Sequence, residues 1–167
     1  MAHGIVLGGG ALLALAAALF SLRAMRAENA SPAVVRRSSR YLSWLTVLTA
    51  ATLWLTVFVG TYIVFPPYRA VPPEGLADLS GYPKSLIQSN QGTAWLHSFA
   101  METKEHMPWV AAMFSTAAAF IGVRYKERML TDPMLNRMVT FLLGVTFVLV
   151  SFVALLGMLI NKVAPVD

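Results

Sequence analysis

Apolar and polar positions along this chain are sorted into long blocks rather than alternating at short period. Four uncharged apolar runs stand out, at residues 4–22 (GIVLGGGALLALAAALFSL), 41–65 (YLSWLTVLTAATLWLTVFVGTYIVF), 107–123 (MPWVAAMFSTAAAFIGV) and 138–161 (MVTFLLGVTFVLVSFVALLGMLIN). A helix needs about 20 such residues to cross the hydrocarbon of a bilayer. Three runs meet that length or nearly so, and the third can extend at either end. The pattern therefore predicts an all-α fold: one integral-membrane four-helix bundle over residues 1–167, with a long loop between helices two and three. A cleaved signal would need a positive n-region and a small-residue cleavage site. The only candidate for a positive group ahead of the first run is His3, so the run reads as a mature span.

Small residues recur at helical spacing inside the runs and predict where helices approach closely. Gly10, Ala14 and Ala17 share a face of span one, and seven residues back from Gly10 the same face reaches His3. Ala111, Ser115, Ala119 and Gly122 form a second stripe, and Gly144, Ser151 and Gly157 a third. Between the runs, Ser31-Pro32 marks a helix start. The proline-rich FPPYRAVPPEG (65–75) reads as extended chain rather than helix. SGYPKSLIQSNQG (80–92) reads as irregular with room for one helical turn. Gly92-Thr93 offers a helix start with Thr93 as cap, from which helix three could run unbroken to about Arg128, placing Pro108 inside it.

Composition agrees with the hydropathy pattern. The 167 residues are 57% hydrophobic and 13% charged, about half the charged share of a soluble domain. Mean hydropathy is +0.63 and the pI is about 9.9. In a soluble protein that basicity would suggest nucleic acid. Here its distribution points to loop orientation instead, and no nucleic-acid partner is expected. Arg23, Arg26, Arg36, Arg37, Arg40, Arg124, Lys126, Arg128 and Arg137 flank one set of loops, whereas only Arg69, Lys84, Lys104 and Lys162 belong to the other. By the positive-inside rule, both termini and the long loop face away from the cytoplasm, the periplasmic side of a bacterial plasma membrane. The chain has no cysteine, which excludes disulfides, thiolate nucleophiles, iron–sulfur clusters and thiolate zinc sites. No charge lies in the middle of any span and no transporter-type repeat is visible, so ion-coupled transport is disfavoured. So is catalysis by this chain alone.

The stretch HSFAMETKEHMPW (97–109) breaks the apolar pattern. It gathers two histidines, two glutamates and a lysine into ten residues. Glu102 and His106 are four apart and share a helix face, with Glu105 beside them. His106 and His3 each open a span from the same side and so are expected at similar depth. The plain reading is a helix end solvated at the membrane interface, where charges cost little. A second reading is a b-type haem held by two imidazoles from facing helices. His3 and His106 are then the matched pair, with His97 as substitute, Trp95, Phe99 and Trp109 as walls, and Arg69 reaching a propionate. A third is a non-haem metal ion on Glu102, His106 and His3, with Glu105 nearby, suiting zinc, iron or copper. A fourth is a quinone headgroup pocket in which His106 donates and Glu102 takes protons.

Two short elements carry a resemblance. GTYIVFPPYR (60–69) and METKEHM (101–107) resemble segments of a set of small bacterial four-span membrane proteins, in which a T-Y-x-x-[FY]-P-x-Y-R element ends span two and E-x-K-E-H opens span three. The likeness covers about a tenth of the chain and implies no activity. It implies that Tyr68, Arg69, Glu102, Lys104, Glu105 and His106 act together at the outer surface. The expectation that follows is an accessory membrane subunit of a bacterial respiratory or photosynthetic electron-transfer complex, embedded in lipid and packed on other subunits. The alternatives are a stand-alone metal-dependent or quinone-interacting redox protein, and a structural subunit without cofactor.

Overall fold

The computed structural model describes residues 3–25 and 31–165, apart from the His3 side chain. Among these residues there is no β-strand. Four helices are long and apolar enough to cross a membrane, and the chain is an all-α, multi-pass bundle. Helix α1 opens as a π turn, His3–Gly8, and continues as Gly9–Ala24. Helix α2 is Pro32–Tyr68, α3 is the short Pro83–Gln88, α4 is Leu96–Tyr125, α5 is Arg128–Thr131 and α6 is Pro133–Val163. The four long helices form a ring in which α1 packs on α2, α2 on α4 and α4 on α6, and α6 closes back on α1. Successive helices are antiparallel, so one end of the bundle carries the 69–95 connection and the helix ends near His3 and Val163. This is the long-loop end. The other end carries the basic connections.

Every span is longer than its apolar run. Helix α2 has 37 residues, about 55 Å at 1.5 Å each, against a hydrocarbon thickness of about 30 Å. It starts at Pro32, where the missing N–H is one the first turn would leave unpaired anyway. Helix α6 starts at Pro133 behind Asp132, whose carboxylate accepts from the backbone N–H groups of Met134 (2.9 Å) and Leu135 (3.4 Å). Hydropathy registers only the lipid-facing middle of such helices, not the capped ends.

Two local expectations are corrected. The FPPY segment is helical and continues α2 to Tyr68, with the Arg69 N–H donating to the carbonyls of Phe65 and Pro66. Proline φ is already helical. The carbonyls left without donors lie at the wet end of the helix, next to a π turn at Gly60–Val64, a combination that re-accommodates proline in membrane helices. The chain leaves the helix only after Arg69. Helix α4 begins at Leu96 rather than Thr93. The Thr93 hydroxyl donates to the carbonyls of Ile87 (2.8 Å) and Asn90 (3.2 Å), so it fastens the preceding loop to α3 and caps nothing. Pro108 lies inside the continuous α4.

The core has three layers. Near the basic end, Leu15, Leu22, Leu42, Ile121, Met129 and Leu143 interlock. Ala11, Leu53, Val57 and Ala112 fill the middle. Tyr68, Ile87, Leu96, Met101, Leu156 and Ile160 close the long-loop end. The α4 stripe packs as its spacing predicts, with Ala111, Ser115, Ala119 and Gly122 all buried. At Gly122 an added Cβ would sit 2.9 Å from Thr46 Oγ1, and Ser43 Oγ donates to the Gly122 carbonyl at 2.6 Å. Helices α2 and α4 therefore meet almost backbone to backbone. In α1 the buried stripe is Ala11, Leu15, Ala18 and Leu22, one residue on from the expected Gly10, Ala14 and Ala17. A Cβ at Gly10 would touch nothing. Leucines long enough to fill the interior decide the rotation of α1, and the π turn at His3–Gly8 interrupts the seven-residue count from Gly10 to His3.

Candidate functional site at the long-loop end

Three π turns lie among the described residues, at His3–Gly8, Gly60–Val64 and Leu96–Met101. All three fall at the long-loop end. A π turn takes an extra residue into a helical turn and re-aims every side chain beyond it, and such turns concentrate at functional sites. Two of them set the central contact of this end. The turn in α2 delivers Tyr68, and the turn that opens α4 delivers His97.

Tyr68 is 1% exposed, and its hydroxyl is hydrogen-bonded to His97 Nδ1 at 2.9 Å. The phenol ring stacks on Phe65 at 6.0 Å between centroids, and the Arg69 guanidinium lies over the other partner of that stack, 4.8 Å from the Phe65 centroid. Arg69 is thereby held on its own helix end. His97 is half-buried.

On α4, Glu105 lies one turn after Met101 and one turn before Trp109, so each neighbouring pair is stacked at i,i+4. Glu105 is half-buried, and its Oε1 is fully buried with no hydrogen-bond partner among the described residues. Met101, one turn before Glu105, belongs to the same core cluster as Tyr68. One turn further into the bundle, Trp109 meets Trp54 and Phe58 of α2 edge to face, at 5.8 and 6.1 Å. Phe58 stacks in turn on Trp54 and Tyr62. The indole N–H of Trp54 donates to Thr116 Oγ1 at 2.9 Å, which leaves that part of the aromatic wall without an unpaired donor.

Lys104 takes the other side of α4. Its Nζ lies 3.1 Å from where a Cβ on Gly157 would be, so the glycine of α6 provides the space for the ammonium. No carboxylate among the described residues comes within 4.0 Å of it; the one ion pair found there joins Arg128 to Asp132 at 3.7 Å. The long loop is pinned by two turns in which side chains accept from the backbone two residues on, Asp78 from Ser80 and Asn90 from Gly92. The first of these holds the Asp78 carboxyl below its usual range.

The residues singled out from sequence divide into separate groups. Glu102 and His106 do share a face, but the bond between them runs from His106 Nδ1 to the Glu102 backbone carbonyl, 2.8 Å. A carbonyl only accepts, so Nδ1 carries the proton and Nε2 is left as the free ligand atom, the arrangement typical of a metal-bound histidine. Both residues are exposed and face away from the bundle. His97 and His106 are nine residues apart on α4, about 13 Å along the axis, and cannot grip one iron from two sides. The His3 side chain lies outside the described residues. Among those described, no three His, Asp or Glu side chains converge as a metal cage would require. Trp95 and Phe99 are exposed, while Trp109 is engaged with α2.

Sequence reasoning missed the Tyr68–His97 bond. The two residues are separated by 29 positions and a loop. The only trace in the sequence is a tyrosine placed among prolines at the end of an apolar run. No family model matches the sequence, and neither the curated proteins nor the solved structures provide a match.

Proposed function

We propose that the chain is an accessory integral-membrane subunit of a bacterial respiratory or photosynthetic electron-transfer complex. The long-loop end and both termini lie on the periplasmic side of the plasma membrane, and that end is the working one. The observation that carries this reading is the coincidence of three π turns with a cluster of titratable side chains that includes every histidine whose side chain is described, namely Tyr68, His97, Glu102, Lys104, Glu105 and His106. The perimeter suits lipid and neighbouring helices: Leu13, Phe20, Trp44 and Phe141 are each about two-thirds exposed or more. Orientation is supported by the nine-to-four division of Lys and Arg between the two ends.

A cofactor reading is favoured by the outward Nε2 of His106, which would be free to hold the iron of a b-type haem or a non-haem metal ion at the periplasmic surface. The opposite ligand would come from His3 or from another subunit. Gentle purification from membranes tests both parts. Oxidoreductase subunits that co-purify in fixed ratio, with a reduced-minus-oxidised haem band lost in His106→Ala, are the expected result. A solitary species from native membranes sinks the subunit reading. A featureless spectrum together with no stoichiometric metal sinks the cofactor reading.

A further inference from the structure

We propose that Tyr68, His97 and Glu105 form a binding site for the ring of a membrane quinone or its quinol, between α2 and α4. This rests on the reading above only in treating the long-loop end as the working one. It differs from the pocket expected from sequence, because His106 and Glu102 face outward and take no part.

The argument starts from Glu105. A buried carboxyl oxygen with no partner is costly, and in native proteins such atoms commonly mark a missing water, ion or ligand. An ordinary ion pair does not explain it. Lys104 leaves α4 on a different side toward Gly157, Arg69 is stacked on Phe65, and neither lies within 4.0 Å of a carboxylate among the described residues. A ligand with a ring hydroxyl or ring carbonyl fits both states of this group. An ionised carboxylate accepts from a quinol hydroxyl, and a protonated one donates to a quinone carbonyl. Tyr68 shares a core cluster with Met101, one turn before Glu105 on α4, and its hydroxyl keeps a free lone pair after its bond to the half-buried His97.

Depth and surroundings fit the same ligand. Glu105 stands at the start of the apolar part of α4, the level at which an amphipathic ring with a hydrocarbon tail settles. Directly below it the wall of Trp109, Phe58 and Trp54 continues between the same two helices. The occupant we assign to that wall is the tail, because Trp109 lies one turn beyond Glu105 on α4 and meets Trp54 and Phe58 of α2.

The test titrates detergent-solubilised protein with decyl-ubiquinone and with a tail-less benzoquinone, followed by tryptophan quenching and checked by equilibrium dialysis. Saturable binding of decyl-ubiquinone is expected. Binding of the reduced form, decyl-ubiquinol, titrated anaerobically in the same way, should weaken about tenfold or more in Glu105→Gln, which loses the charge-assisted hydrogen bond from the ring hydroxyl, and several-fold in Tyr68→Phe. Glu102→Gln should leave it unchanged, and Trp109→Leu should remove the advantage of the tailed compound. Partitioning without saturation, or equal weakening in Glu102→Gln, overturns the proposal. Glu105→Gln replaces an unpartnered buried carboxyl with an uncharged side chain of the same size and should fold. If it does not, Tyr68→Phe and His97→Gln decide by the same criterion. The co-purification result above is independent, so the failure of one reading is distinguishable from the failure of the other.

Discussion

Single residues carry most of the local strain and the polar exceptions in this bundle. Ser115 is fully buried in α4, and its hydroxyl has no partner among the described residues. The neighbouring core hydroxyls of Thr46, Thr49 and Thr146 each donate to a carbonyl of their own helix. Replacing Ser115 by Ala removes an unsatisfied group of nearly the same size, so stability should stay level or rise by about 1 kcal/mol, read as the thermal midpoint in detergent. Lys126, between α4 and α5, has φ 44° and ψ −116°, a conformation suited to glycine. Such positions cost about 1–3 kcal/mol for other residues, so Lys126→Gly should raise the midpoint, and a fall would show that the lysine side chain holds the turn. At this scale the sequence was a partial guide. It singled out His106 and Glu102 by spacing, but spacing does not say which atom of each residue is used. The imidazole bonds a backbone carbonyl, which any residue at position 102 would provide.

Elements owe their placement to a few close approaches and to the π turns. Gly122 allows α2 and α4 to touch at Thr46 and Ser43. Gly122→Val should therefore destabilise by about 1–3 kcal/mol through overpacking, whereas Gly144→Val, where a Cβ meets nothing within 4 Å, should leave the fold intact. Comparison of the two melting curves checks this. The turn at Gly60–Val64 adds a residue to α2 ahead of Tyr68. Deleting Ile63 should restore regular helix and rotate Tyr68 by about 100°, breaking its bond to His97. Nitration of Tyr68 by tetranitromethane should then become fast, where the buried native ring reacts slowly. Hydropathy finds the four helices because lipid contact is averaged over many residues. It misses the π turns and the helical FPPY, because a single inserted residue or a proline at a wet helix end leaves almost no mark on an average.

At the scale of the molecule, orientation is the property most open to a direct check. The chain has no cysteine, so single cysteines introduced at Asp78 in the long loop and at Glu127 between α4 and α5 can be labelled without background. In intact cells a membrane-impermeant maleimide should reach position 78 and leave 127 unlabelled until the membrane is opened; the reverse pattern would invert the proposed topology. The number of spans, the helical class, the basic asymmetry and the α4 small-residue stripe were determined by sequence alone, because each is a sum over many residues in one local window. The rotation of α1, the junction of Tyr68 with His97, the stranding of Glu105 and the outward turn of His106 were decided only by tertiary structure. Each depends on the register between helices, which leucine packing and three inserted turns set across distances that no local window spans.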